Sequence, residues 1–215
     1  MKLIAILIAC LLPSLALAQT TRSELPKPCL PLTACTYNFA AITPHGAPRD
    51  FPAYIRDWPG VLIDEEVRDQ HGAGNIVPGF ATREAGVGIW WYWLIHRTNQ
   101  RRGNDPNGTV TLLSLATSIA GNPDRQAQAV QVYLNAYRSY AQRFFDRPIA
   151  AEEPLPLSDP DTVWNLARVM FQHEIGEVDL SHHLTRAQFE MGLKLGRAYR
   201  PGLALDVRDY IAAPE

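Results

Sequence analysis

The stretch Ile89-Trp90-Trp91-Tyr92-Trp93-Leu94-Ile95 decides the fold. It follows Thr82-Arg83-Glu84 and runs on to His96 and Arg97, too long an apolar segment for an average strand and flanked by charge. We read a helix from Thr82 to about Arg97. Residue 85, three after Thr82, is alanine, so no full capping box opens it, but Glu84 places a negative charge in the first turn. A helix apolar on all sides belongs in the middle of a domain. Outward from it, Arg97 to Gly108 reads as a basic, turn-rich loop, and Thr109 to Ala120 as a helix stopped by Gly121. Pro123 to Phe145 follows, with Asn122 as cap and proline at the first helical position. Asp159 to about Ile175 opens on Ser158-Asp159-Pro160-Asp161 and closes at Gly176. Thr185 to Tyr199 is the last long helix, with Phe189, Leu193 and Leu195 as expected core contacts. Pro148 to Pro156 reads as a surface strap, and Asp50 to Gly79 as mostly loop with a short strand at Val61 to Ile63. No internal repeat is present. The expected fold is therefore all-α or α-dominated, one helical domain.

At the N-terminus, Lys2, the apolar run Leu3 to Leu12 and the A-x-A site Ala16-Leu17-Ala18 read as a secretory signal. The expected organisation is a signal peptide over 1–18, a Pro-rich extended arm over 19–48 and the helical domain over 49–215. Removing those 18 residues from 215 leaves 197, enough for one domain with a sizeable core. With Lys2 gone the formal net charge moves from −2 to −3, and with no basic excess the sequence excludes a general nucleic-acid binder. A charged fraction of 20% and a hydrophobic fraction of 47% place the chain among globular proteins. Beyond the signal no apolar run approaches the roughly 18 residues of a membrane span.

Cys10 falls within the signal, which leaves Cys29 and Cys35 as a local structural disulfide clipping the arm. Their spacing is too wide for a C-x-x-C redox centre. Leu7-Ile8-Ala9-Cys10 also has the form of a lipoprotein cleavage box, which would lipidate Cys10. The apolar core before Cys10 is short and continues to Leu17, so the expected product is periplasmic or secreted, cleaved after Ala18.

Chemistry points first to Glu174. Val163, Leu166, Ala167 and Met170 form an apolar stripe at helical spacing, and Glu174 is its next member. A desolvated carboxyl stays protonated near neutral pH, the state a general acid needs to cleave a glycosidic bond. The plainer alternative places Glu174 at the helix end, paired with an arginine. His173, Glu177, Asp179, His182 and His183 surround it, yet H-E-x-x-H spacing is absent, so a solvated turn is expected and no metal. Glu84 is explained by the helix dipole, and Glu65 and Glu66 by a charged loop. Trp58, between Asp57 and Pro59 in a loop, is the tryptophan expected to stack on a sugar ring. Without G-x-S-x-G or a phosphate-binding glycine pattern, neither serine hydrolysis nor a cofactor is expected.

The order of these residues resembles a group of phage virion structural proteins and bacterial relatives, which are related to lysozyme-like peptidoglycan hydrolases. That group has an N-N-P-G-N-I loop, W-x-G, a G-x-F-A-x-F segment leading into a helix through E-x-G, and later a helix ending in H-E-N-G. The corresponding runs here are Asp50-Phe51-Pro52-Ala53-Tyr54-Ile55, Trp58-Pro59-Gly60, Gly79-Phe80-Ala81-Thr82 with Glu84-Ala85-Gly86, and His173-Glu174-Ile175-Gly176. The likeness spans about Asp50 to Leu195. Asp50, Phe51, Ala53, Tyr54 and Ile175 replace the loop asparagines, its glycine and the late asparagine. The resemblance implies a lysozyme-like domain acting on peptidoglycan or another cell-wall glycan. Glu174 would be the acid, Glu84 a candidate second carboxylate, and Trp58, Tyr54 and His173 the substrate contacts. The glycan could be cut as by a glycosidase or as by a lytic transglycosylase, which needs one acid only. Loss of the asparagines keeps open a non-catalytic wall-binding or structural protein of prophage or secretion-machine origin, and a periplasmic partner or inhibitor of another protein is a third reading.

Overall fold

In this computed structural model, residues 37–39, 52–62, 78–98, 107–120, 123–176 and 180–213 are described. The expected signal, Cys10, the Cys29–Cys35 disulfide, Glu65, Glu66, Glu177 and Asp179 lie outside the described residues. The chain is helix-dominated, as expected. In chain order the elements are α1 (Ala53–Arg56), β1 (Val61–Leu62), β2 (Gly79–Phe80), α2 (Arg83–Thr98), β3 (Thr109–Val110) and α3 (Leu112–Ala120). They continue with α4 (Pro123–Phe144), β4 (Leu155–Pro156), α5 (Pro160–Ile175) and α6 (Arg186–Ala198), with 3-10 turns at Leu180–His182 and Val207–Tyr210. No described helix is long and apolar enough to cross a membrane.

The apolar helix occupies the centre. Thr82 Oγ1 accepts the Ala85 amide at 3.1 Å and so caps α2, and Ile89, Trp90 and Leu94 are wholly buried. Trp90 meets Phe171 of α5 edge-on at 5.1 Å, and its ring lies 6.0 Å from that of Phe189 of α6. One side of α2 packs on α6 through glycines: Gly192 meets Glu84 and Val87, and Gly196 meets Gly88 and Trp91. Later residues of one helix meet later residues of the other, so the two run in the same direction. Gly192 and Gly196 lie one turn apart on one helix face, and the missing side chains allow backbone-to-backbone approach. Phe189, Leu193 and Leu195, expected in the core, are buried.

The stripe Val163, Leu166, Ala167 and Met170 is also fully buried, and it positions α5 against the core. Asp159 caps α5 as the sequence indicates, accepting from the amides of Asp161 and Thr162. The Thr162 hydroxyl first, and then these amides, hold its carboxyl below the usual aspartate range. Asp159→Ala is expected to cost about 1 kcal/mol, lowering the melting temperature by about 3 °C. Since a depressed carboxyl stabilises only while ionised, the difference should shrink as pH falls through the folded pKa; melting at pH 7 and at low pH checks both.

Several expectations are corrected. Thr109–Val110 is a strand, paired with Leu155–Pro156, and α3 starts only at Leu112. The cause is local: Thr111 and Ser114 each accept the other's amide at 3.0 Å, a reciprocal cap that fixes the helix start. The Pro-rich strap is thereby drawn inward, and Ile149, Leu155 and Leu157 are buried. The helix expected as unbroken from Pro123 is non-helical at Gln126 (φ −131°, ψ 31°). Val61–Leu62 pairs antiparallel with Gly79–Phe80, whose strand the sequence does not announce. The described part of the arm, residues 37–39, reaches the core. Phe39 is fully buried with its ring 5.2 Å from that of Phe171, and the Tyr37 carbonyl packs against Gly86.

Candidate functional site

The last two turns of α5 carry His173 and Glu174 to the face of α4 that presents Tyr133 and Tyr137. The His173 ring stands edge-on to both phenols, with centroids 4.8 Å from Tyr133 and 5.5 Å from Tyr137. Burial lowers the pKa of His173, so its imidazole is neutral at pH 7. Glu174 keeps partial exposure as a residue, but burial pushes its carboxyl up to about 7. The carboxyl is therefore poised to hold a transferable proton near neutral pH. Burial, and then the charge of Glu174, also raises the pKa of Tyr133 and of Tyr137. The Tyr137 hydroxyl is buried and meets no hydrogen-bonding partner among the described residues. Gly176, at φ +81°, ends the helix two residues after Glu174, and the Gln172 side-chain amide donates to its carbonyl. A hollow of about 650 Å³ between α3 and α4, lined by Ile119, Val132 and Tyr133, approaches this cluster through Tyr133.

The other expected site residues are not gathered here. Trp58 is 2% exposed, its indole N–H donating to the Ala85 carbonyl at 3.0 Å and its ring 4.4 Å from that of Tyr199. This corrects its assignment as a sugar-stacking ring, because a buried indole offers no face to a ligand. Glu84 is 3% exposed, and its Oε1 accepts the Ala212 amide at 3.1 Å. It tethers the C-terminal segment to α2, and among the described residues no hydrogen bond or ion pair joins it to His173, Tyr133 or Tyr137, which corrects its expected place as partner carboxylate. Tyr54 is half-buried, its ring 5.4 Å from that of Tyr92, away from Glu174. His183 gives its carbonyl to Arg83 Nε at 2.6 Å. Among the described residues no three His, Cys, Asp or Glu side chains gather as a metal site.

One feature was missed by reading the sequence. A cavity of about 800 Å³ opens between the C-terminal halves of α2 and α6 and the start of α5, and Glu174 does not line it. The available signal was the set of polar residues where apolar helices end: His96, Arg197 and Arg200.

No protein-family model matches the chain, and no curated protein matches it either.

Proposed function

We propose that this is an exported, lysozyme-like protein directed at peptidoglycan, in which Glu174 is the single acid and base of glycan cleavage. The observation that supports it is the Glu174 carboxyl, buried beside neutral His173 and poised at about 7. Glu84, the other carboxylate considered, binds the Ala212 amide, and this favours the lytic transglycosylase type, which needs one acid only. Glu174 gives its proton to the glycosidic oxygen as the C–O bond breaks. A hydroxyl of the same sugar then attacks the anomeric carbon and returns its proton to Glu174. No water is consumed. Because the carboxyl must start protonated, kcat/KM is expected to fall as pH rises above about 7.

The test is incubation of residues 19–215 with purified sacculi and mass analysis of the released fragments. Fragments lighter by one water than hydrolysed ones support the single-acid reading, and hydrolysed fragments would require a second base. A non-catalytic wall-binding protein is the competing reading, supported by the replaced loop asparagines and by a cavity separate from Glu174. Sedimentation on sacculi without released fragments selects it. Export carries its own test. Intact mass of the secreted protein is expected to begin at Gln19 and to be lighter by two hydrogens for a Cys29–Cys35 bond. A lipid on Cys10 or two free thiols would contradict this.

A further inference from the structure

The cavity between α2 and α6 presents basic and polar groups above a closed base. Trp91, Ile95 and Tyr199 form that base. All three are buried, and the Arg197 guanidinium covers Trp91 at 5.1 Å from the ring centre, so no aromatic face lies open to a ligand. What the cavity offers is donors. Arg197 and Arg200 stand exposed at its mouth. Stacking fixes the plane of Arg197 and leaves its N–H edges unblocked, with no hydrogen-bonding partner among the described residues. Arg200 is anchored by its Nη1, which donates to the carbonyls of Arg197 at 2.7 Å and Tyr199 at 2.6 Å, while its Nε and Nη2 meet no described partner. Among the described residues no carboxylate lines the cavity, and no salt bridge joins either guanidinium to one. Asp159, the acid next to Ser158 in the wall, is engaged by the amides of α5. The charge of Arg200 is felt inside the cavity. Burial, and then that charge, lowers the pKa of half-buried His96, so its imidazole is neutral at pH 7 and can both donate and accept a hydrogen bond.

We propose that this cavity takes the carboxylate end of a peptide, the terminal carboxylate on Arg197 and Arg200 and the last amide groups against the polar wall. Two guanidiniums with unused N–H groups and no acid beside them call for an anion, and to a carboxylate they supply charge-assisted hydrogen bonds. A volume of about 800 Å³ far exceeds a bare ion, so the anion carries a body. That body is polar along its length, because Tyr92, His96, Asn107 and Ser158 bring hydrogen-bonding groups to the wall, and a buried amide needs partners of that kind. With the base closed, a chain end enters where the middle of a chain would have to fold back. The anion and its amides rest on the cavity alone, and the choice of a wall peptide rests on the reading above. In peptidoglycan the lactyl groups are amide-linked, and the free carboxylates are those of the stem peptides, whose last residue is D-alanine. The site would hold a stem peptide at a point separate from Glu174.

The probes are the stem pentapeptide ending in D-alanyl-D-alanine and the same peptide closed as its terminal carboxamide, which differ by one charge. Calorimetric titration of residues 19–215, with tryptophan emission as a second readout because Trp91 lies under Arg197, is expected to show the carboxylate form binding about tenfold more tightly, a preference that shrinks as salt is added. Arg197→Gln together with Arg200→Gln should abolish the preference. Arg197→Gln alone, which leaves the Arg200 bonds at the helix end in place, should lower it about threefold, with circular dichroism checking the fold of each. Equal affinity for the two peptides, no binding of either, or a preference unchanged in either folded variant overturns the proposal. Its failure is distinct from that of the Glu174 assignment. Sacculus digestion without selective binding rejects this site alone, and selective binding without digestion rejects the acid alone.

Discussion

Glu174→Gln is expected to lower the rate of sacculus digestion about a thousandfold while leaving sedimentation on sacculi unchanged. Glutamine matches the carboxyl in shape and has no proton to transfer, so binding survives and protonation of the leaving oxygen does not. The same substitution should raise stability in alkaline buffer. A carboxyl whose folded pKa is about 7 and whose unfolded pKa is the ordinary one near 4.5 binds its proton more tightly when folded. Stability then falls as pH rises between those two values, by about 3 kcal/mol in all, and levels off above the higher one. Glutamine removes this penalty. The variant should therefore melt above the wild type at pH 8, with the gap closing toward pH 4.5. Loss of digestion joined to a gain in melting temperature separates a lost acid from a damaged fold. Glu84→Gln is the control; it should digest within a few-fold of wild type, since the Glu84 carboxylate is engaged by the Ala212 amide. Folded Glu174→Gln protein that digests at the wild-type rate would reject the assignment.

Gly192→Val is expected to destabilise the domain by more than about 3 kcal/mol, a fall of about 10 °C in melting temperature. A Cβ at position 192 would stand 2.5 Å from the Val87 Cβ and 2.7 Å from the Glu84 carbonyl oxygen. The second contact is backbone, so relief requires α2 and α6 to separate, and that loosens the aromatic packing between them. Alanine gains about 1 kcal/mol of helix propensity over glycine, so Gly192→Ala should fall between valine and wild type. Lys194→Ala, at an exposed position of the same helix, should shift stability by no more than about 0.5 kcal/mol. Thermal melts of the three variants check the order. A wild-type melting temperature for Gly192→Val would mean that the two helices do not approach as described.

Local rules made the long helices legible. The Ile89 to Ile95 run, the Asp159 cap with Pro160 after it, and Gly176 at the end of α5 are signals contained within a few residues. The errors fell where the deciding partner is remote in sequence. Trp58 reads as a loop residue, but its indole bonds to Ala85, and nothing near position 58 announces that burial. Glu84 reads as a helix-dipole charge, whereas its partner amide is 128 residues away. Two-residue strands carry no period, so the pairing of Thr109–Val110 with Leu155–Pro156 could not be read from either segment. Of the site, Glu174 was visible because it continues a stripe with helical spacing. The phenols of Tyr133 and Tyr137 were not, because only the packing of α4 on α5 brings them to His173.

The central claim is that the Glu174 carboxyl holds its proton near neutral pH. Carbon-13 NMR of protein labelled at glutamate side-chain carboxyls, with the resonance assigned by its loss in Glu174→Gln, measures this directly. The account predicts one carboxyl titrating with a midpoint at about 7, well above the other glutamates. A Glu174 midpoint in the ordinary range of about 4 to 5 would contradict it and leave the protein without its acid.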